Sequence, residues 1–228
     1  MSKDKLHALV PRLRFPEFRD AGDWEERVLD VYCERLHEKV GDAHLTPVSI
    51  SAGLGFVAQA EKFGRDISGA QYSNYIHIRR GDFAYNRGNS KRFPQGCVYQ
   101  LTEFDDAAAS NAFYCFRLHT EYAPAFFEGL FESNWHGRQL IKDITSSARS
   151  TGLLNIRADT FFDVKIPMPP NLLEQQKIAD CLSSLDELIT AEERKLAALR
   201  DHKKGLMQRL FPREGETRPR LRFPEFRD

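Results

Sequence analysis

Between Leu172 and Leu210 the chain has no proline and a single glycine, Gly205. Such a stretch can run as one helix about 58 Å long, at 1.5 Å per residue. It begins abruptly, because Pro167, Pro169 and Pro170 fix their own φ and hold their predecessors extended. Asn171 supplies an N-cap, and Glu174 stands at the third helical position, where a carboxylate can reach back to the cap.

One face of this helix carries Ile178, Leu182, Leu185, Ile189, Leu196, Leu199, Leu206 and Leu210, with Glu192 and Lys203 where two more apolar residues would belong. Spacings of four and three are the coiled-coil period, and polar seam positions can set register. The charges divide the helix in two. Glu174, Asp180, Asp186, Glu187, Glu192 and Glu193 precede Arg194 with Lys177 as the lone base, whereas Arg194, Lys195, Arg200, Lys203, Lys204 and Arg209 follow with Asp201 as the lone acid. The helix dipole favours acids early and bases late, so a solvated single helix accounts for this distribution. Antiparallel pairing with a copy of itself accounts for it too, because acidic half then meets basic half at both ends and Glu192 faces Lys203. The expectation is an antiparallel two-helix coiled coil.

Residues 11–20 read PRLRFPEFRD, and residues 219–228 read PRLRFPEFRD again. A unit that restarts implies tandem similar domains with approximate two-fold symmetry, suited to a target of two separated parts. The expected organisation is a domain over 1–168, a spacer and dimerisation helix over 169–212, and a polar linker leading into a second repeat over 213–228.

Before the helix, short apolar runs alternate with Gly, Asn, Asp and Ser clusters, which predicts a mixed α/β (α+β) domain. Strands are expected at 46–50, 74–79, 82–86, 97–101 and 112–118, with residues 75–85 as a hairpin or a tight strand reversal at Gly81 and Asp82. Helices are expected at 123–132, with Phe126, Phe127, Leu130 and Phe131 on one face, and at 138–146.

With 33 Lys and Arg against 33 Asp and Glu, the chain has no overall basic field, so any attraction to nucleic acid must be local. Residues 65–92 provide a local excess: Arg65, Arg79, Arg80, Arg87, Lys91 and Arg92 against Asp66 and Asp82. Within it Arg87, Asn89, Ser90, Lys91 and Arg92 mix cationic, amide and hydroxyl groups around Gly88, a set suited to phosphates and base edges. Arg149, Ser150 and Thr151, before Gly152, form a second such group.

Other chemistries find no footing. Cys33, Cys97, Cys115 and Cys181 are scattered without zinc spacing and read as reduced thiols, and the seven histidines are dispersed, so no metal site is expected. Gly53-Leu54-Gly55-Phe56 lacks a following phosphate-binding helix, Pro169-Pro170-Asn171 is a helix start, and Asp186 with Glu193 and Lys195 lies on the long helix rather than in a pocket. The first fifteen residues lack a secretory core and no apolar run reaches membrane-spanning length, so a cytoplasmic protein without membrane contact is expected.

Taken together, LRFPEF, YIHIRRGDFAYNRG (75–88), RSTGLLNI (149–156) and IPMPPNLLEQQKIADCLSSLDELI (166–189) resemble the DNA-specificity (S) subunit of type I restriction-modification systems. The resemblance implies a non-catalytic, sequence-specific reader of double-stranded DNA. In that family two target-recognition domains, each reading one part of a split site, are held apart by two antiparallel helices. Those helices dock methyltransferase subunits, and motor-nuclease subunits join through them. S-adenosylmethionine, ATP and Mg are then expected only in the partner subunits. Full S subunits carry two recognition domains, so this chain resembles one half, expected to act as a homodimer on a palindromic split site. The rival readings are an assembly or regulatory protein occupying the methyltransferase dock without reading DNA, and the recognition end of a fused methyltransferase-nuclease.

Overall fold

Phe83, Ala84 and Tyr85 are consecutive and all buried, so the strand that holds them must be covered on both faces. The computed structural model describes Leu9 and residues 11–51, 53–88, 93–144 and 153–226. Its strands are β1 (Glu25–Val28), β2 (Cys33–Arg35), β3 (Pro47–Ser51), β4 (Gly55–Ala58), β5 (Ile76–Arg79), β6 (Phe83–Asn86), β7 (Cys97–Gln100), β8 (Asp106–Ala109), β9 (Tyr114–Leu118) and β10 (Lys165–Met168). The helices are α1 (Gln59–Phe63), α2 (Pro124–Glu132), α3 (Trp135–Leu140), α4 (Ala158–Phe162) and α5 (Leu172–Leu210). Two compact units result, Met1–Ala179 and Asp180–Asp228, and the first two turns of α5 belong to the first.

In the first unit, a central antiparallel sheet runs β2-β9-β6-β7 and a second, mixed sheet runs β4-β3-β8-β5. Along β6, Phe83 and Tyr85 point to one cluster and Ala84 to another; β9 repeats this with Phe116 and Cys115, and β7 with Val98 and Cys97. One face therefore packs against Phe126, Phe127, Phe131, Leu140, Phe161 and Phe162 from the helices. The other packs against Val48, Ile50, Phe56 and Ile78 of the second sheet. Tyr85 stacks on Phe161 with centroids 4.3 Å apart.

The five expected strands form, and α2 buries Phe126, Phe127 and Phe131 as its pattern requires. The expected helix over 138–146 is instead α3, followed by a 3-10 turn at Ile141–Asp143; residues 145 and 146 lie outside the described residues. A larger correction concerns residues 75–85: of the two expected forms they take the tight strand reversal and not the hairpin. The chain does reverse tightly there, with Gly81 at φ +95° and the Asp82 N–H on the Arg79 carbonyl. Yet β5 pairs with β8 and β6 with β7 and β9, so this turn carries the chain from one sheet to the other. Asp82, buried, fixes the crossing. Its carboxylate accepts from the Arg79 N–H (2.6 Å) and bidentately from the Arg117 guanidinium (2.7 and 2.9 Å).

Glu174 supplies a second correction. Asn171 caps α5 as expected, its Oδ1 accepting from the Leu173 N–H at 2.8 Å. Glu174 does not reach back to the cap. It is buried, and its two oxygens accept from Arg14 Nε and Nη2, each at 2.7 Å, while Trp24 Nε1 donates to it at 3.1 Å. Gln175 is buried as well and accepts from the Ala123 N–H at the start of α2. Consecutive side chains of the LLEQQ block thus hold the N-terminal segment and α2.

Two expectations follow for stability. Replacing Asp82 with alanine leaves the Arg79 amide and Arg117 without their acceptor, and urea unfolding should register a loss of roughly 2 to 3 kcal/mol. His136 is also buried, with Nε2 at 3.4 Å from the Gly96 carbonyl and Nδ1 unpaired. Burial pushes its imidazole down from 6.5 to about 4, against the hydrogen bond to Gly96. A folded value below the unfolded one favours the neutral ring in the native state. Its full contribution is present above pH 6.5 and is lost as pH falls towards 4. Urea unfolding should show a loss of about 3 kcal/mol across that window, absent in His136→Phe.

Candidate nucleic-acid interface

The end of β6 joins two segments that lie far apart in sequence. Gly88 pairs with Leu153 as an antiparallel bridge, and the Leu154 N–H donates to the Arg87 carbonyl at 2.9 Å. Arg87 fastens the junction with its side chain. Nε donates to the Ala112 carbonyl (3.1 Å), Nη1 lies 3.5 Å from the Ile156 carbonyl, and the guanidinium sits 4.8 Å from the Tyr114 ring centroid. Tyr114 completes the clamp, its hydroxyl donating to the Ile156 carbonyl at 2.8 Å. Asn86 Oδ1 accepts from the Gly88 N–H at 2.8 Å and stiffens the exit from the strand.

Of the DNA-contact candidates, Arg87 is therefore engaged with protein carbonyls and an aromatic face, a positioning role that its sequence neighbours did not signal. Asn89, Ser90, Lys91, Arg92, Arg149, Ser150 and Thr151 lie outside the described residues. Their described flanks, Gly88 on one side and Leu153 on the other, are in contact. Two polar groups that sequence alone presents as separate candidates thus start from one place on the domain.

Gly96 shapes the return to β7. Its φ is +80°, and a Cβ there would lie 2.6 Å from the Asn86 carbonyl oxygen and from the Tyr85 ring, so only glycine fits. Tyr85 donates its hydroxyl to the Gln95 carbonyl at 2.7 Å, and burial pushes its phenol far above the ordinary range. The turn after the first polar group is accordingly anchored in the core.

Two of the six bases counted in residues 65–92 are paired with acids from elsewhere. Arg79 pairs with Glu38 (3.1 Å), Arg80 with Asp105 (2.9 Å), and His77 bridges Glu38 and Asp106. Charge counting along one segment missed these partners because they come from outside it, Glu38 from the loop after β2 and Asp105 and Asp106 from the entry to β8.

On α5, Ile178 packs against the helix-side core of the first unit. Leu182, Leu185, Ile189, Leu196 and Leu199 are 44 to 58% exposed, and Leu206 and Leu210 are half-buried. Glu192 pairs along its own helix with Lys195 at 3.2 Å, and Lys203 is exposed. Among the described residues no helix is long and apolar enough to cross a membrane.

Residues 73–201 match the sequence model of the family described as "Type I restriction modification DNA specificity domain", more than half of the chain. A curated relative, the type I restriction enzyme MjaVIII specificity subunit of Methanocaldococcus jannaschii, is 38% identical over 68 residues, 30% of this chain and 16% of the relative. Among solved structures, the HsdS subunit from Thermoanaerobacter tengcongensis superposes with a TM-score of 0.58 at 19% identity, covering 95% of this chain and 54% of that one. A chain from a structure addressing complex assembly and conformational transition of the type I R-M system gives a TM-score of 0.53 at 19% identity, covering 92% and 53%. The chain thus spans about half the length of these solved structures, and they share its fold. With its matched region running from before β5 into the long helix, the chain belongs to the type I restriction modification DNA specificity domain family.

Proposed function

We propose that this chain is a non-catalytic, sequence-specific DNA-recognition subunit that reads one part of a split duplex site. The Gly88–Leu153 bridge carries the reading. Within the matched DNA specificity domain, it gives two polar, cation-containing groups a common origin beside a rigid sheet. Loops held on a packed scaffold are the usual carriers of recognition, and this set of side chains suits both phosphates and base edges. Asn89, Ser90, Lys91, Arg92, Arg149, Ser150 and Thr151 are the proposed contacts, and Arg87 positions them.

The long helix is the proposed spacer and partner dock. Its exposed leucines form an unpaired seam, and antiparallel pairing that sets Glu192 against Lys203 also sets Leu185 against Leu210, Ile189 against Leu206 and Leu196 against Leu199. From Leu185 to Leu210 every seam position then meets another. Two identical readers arranged in this way favour an inverted-repeat split site. Methyltransferase subunits docking on the helices, with motor-nuclease subunits beyond them, would supply S-adenosylmethionine, ATP and Mg chemistry in the cytoplasm.

Selection from a randomised duplex library, with and without methyltransferase subunits, tests the recognition role. The chain should enrich a defined sequence; no enrichment in either condition would leave only the assembly role. In the selected site, losing a base contact among residues 89–92 or 149–151 should relax one position by about 1 to 3 kcal/mol. Losing a phosphate contact such as Lys91 should weaken all sequences alike and lower the salt slope by about one. Pairing has its own readout in sedimentation: Glu192→Lys alone should shift the chain towards monomer and the double change Glu192→Lys with Lys203→Glu should restore the dimer. A dimer indifferent to the single change would refute this register.

A further inference from the structure

The two copies of PRLRFPEFRD differ in what surrounds them. Both form the same local turn, a 3-10 helix at Pro16–Phe18 and again at Pro224–Phe226. In each, a phenylalanine amide donates at 3.0 Å to the carbonyl of another three residues earlier, Phe18 to Phe15 and Phe226 to Phe223. The first copy is docked. Arg14 forms the bidentate pair with buried Glu174, Glu17 lies 3.5 Å from Lys177 Nζ, and that same ammonium sits 5.6 Å from the Phe15 ring centroid. Two side chains one helical turn apart on α5, Glu174 and Lys177, thus recognise an arginine, a phenylalanine and a glutamate of the repeat.

The second copy carries the same three residues as Arg222, Phe223 and Glu225. Phe223 and Phe226 are 58 and 61% exposed, whereas Phe15 and Phe18 are half-buried. A segment that has already adopted the docked turn, while its aromatic side chains face solvent, has the form of a ligand for an identical site.

We propose that the Glu174–Lys177 face of α5 is an exchangeable receptor for this segment, and that in a pair of chains it accepts residues 219–226 of the second copy in place of its own residues 11–18. Reach is sufficient. This step rests on the antiparallel pairing proposed above, in which Leu210 of one chain lies opposite Leu185 of the other. Glu174 lies about 16 Å along α5 from Leu185, and the stretch from Leu210 to Arg222 extends to at most about 40 Å once the Leu221 N–H leaves the Arg209 carbonyl, to which it donates at 2.8 Å. Because the competing segments are identical in sequence, their intrinsic contacts with the receptor are the same. Local delivery then decides the occupant, as it does for any tethered ligand. Exchange in both directions would fasten each chain to the other at two points beyond the seam.

Binding of a fluorescein-labelled PRLRFPEFRD peptide to the full chain, followed by anisotropy, tests the receptor. The double variant Arg14→Ala with Arg222→Ala disables both internal copies and should bind the peptide saturably. Adding Glu174→Gln, or replacing the second arginine of the peptide by alanine, should abolish binding, and the intact chain should bind at least tenfold more weakly because its site is filled. A folded double variant that ignores the peptide, or that binds it regardless of Glu174, overturns the proposal. Should the double variant fail to fold, a photoreactive phenylalanine analogue at position 226 of the otherwise intact chain replaces it. Crosslinks should map to residues 174–181 of a second copy and vanish with Glu174→Gln; crosslinks confined to the chain's own residues 180–226 overturn the exchange. Sedimentation of the same samples separates the two ideas. A dimer without such crosslinks contradicts exchange alone, and a monomer that binds peptide contradicts pairing while the receptor stands.

Discussion

A buried carboxylate at the start of a long helix governs how this domain closes. Glu174 gathers Arg14 from the N-terminal segment and Trp24 from just before β1, so that residues separated by most of the domain meet at one point. The Arg14 guanidinium is pushed above its ordinary range first by its hydrogen bond to Glu174, against desolvation. Buried ion pairs contribute little net stability compared with well-packed apolar groups, but removing one partner strands the other, so they enforce one arrangement. Beside the pair, Trp24 exchanges backbone hydrogen bonds with Leu9, and β1 pairs with β10 immediately before α5. The first turns of the helix are therefore built into the domain, with Ala179 in its buried set and Ile178 against its core.

The same logic recurs at Asp82, whose carboxylate holds the passage between the two sheets. With the crossing fixed, β6 runs between layers and delivers Arg87 and Gly88 at its far end. The clamp of Arg87, Tyr114 and the Ile156 carbonyl then holds Leu153 beside Gly88. Recognition in this account needs no large basic field. It needs a stiff platform that sets a few side chains against a groove, which is compatible with a chain carrying equal numbers of acids and bases.

What the sequence made legible was local. The strands at residues 46–50, 82–86, 97–101 and 112–118, the buried face of α2 and the full extent of α5 follow from period, proline and cap signals that act within a few residues. Misreadings arose where a distant partner decides. Residues 75–85 have every local mark of a hairpin, yet their strands join different sheets because β8 and β9 compete for them. Glu174 stands where a capping box puts its glutamate, and Arg14 takes it. β1, β2, β4, β8 and β10 were not separately predicted; each is three or four residues long, and β10 contains Pro167. Arg79 and Arg80 look like an uncompensated patch until Glu38 and Asp105 arrive. The family resemblance worked where single residues failed because it reads several such non-local solutions at once.

The most direct test of the account is a hydroxyl-radical footprint of the purified chain on its selected duplex, at salt low enough to retain the complex. Two identical readers held apart by paired helices should protect two short patches of the same sequence in inverted orientation, with unprotected duplex between them. One continuous patch, or two patches of unrelated sequence, would contradict it.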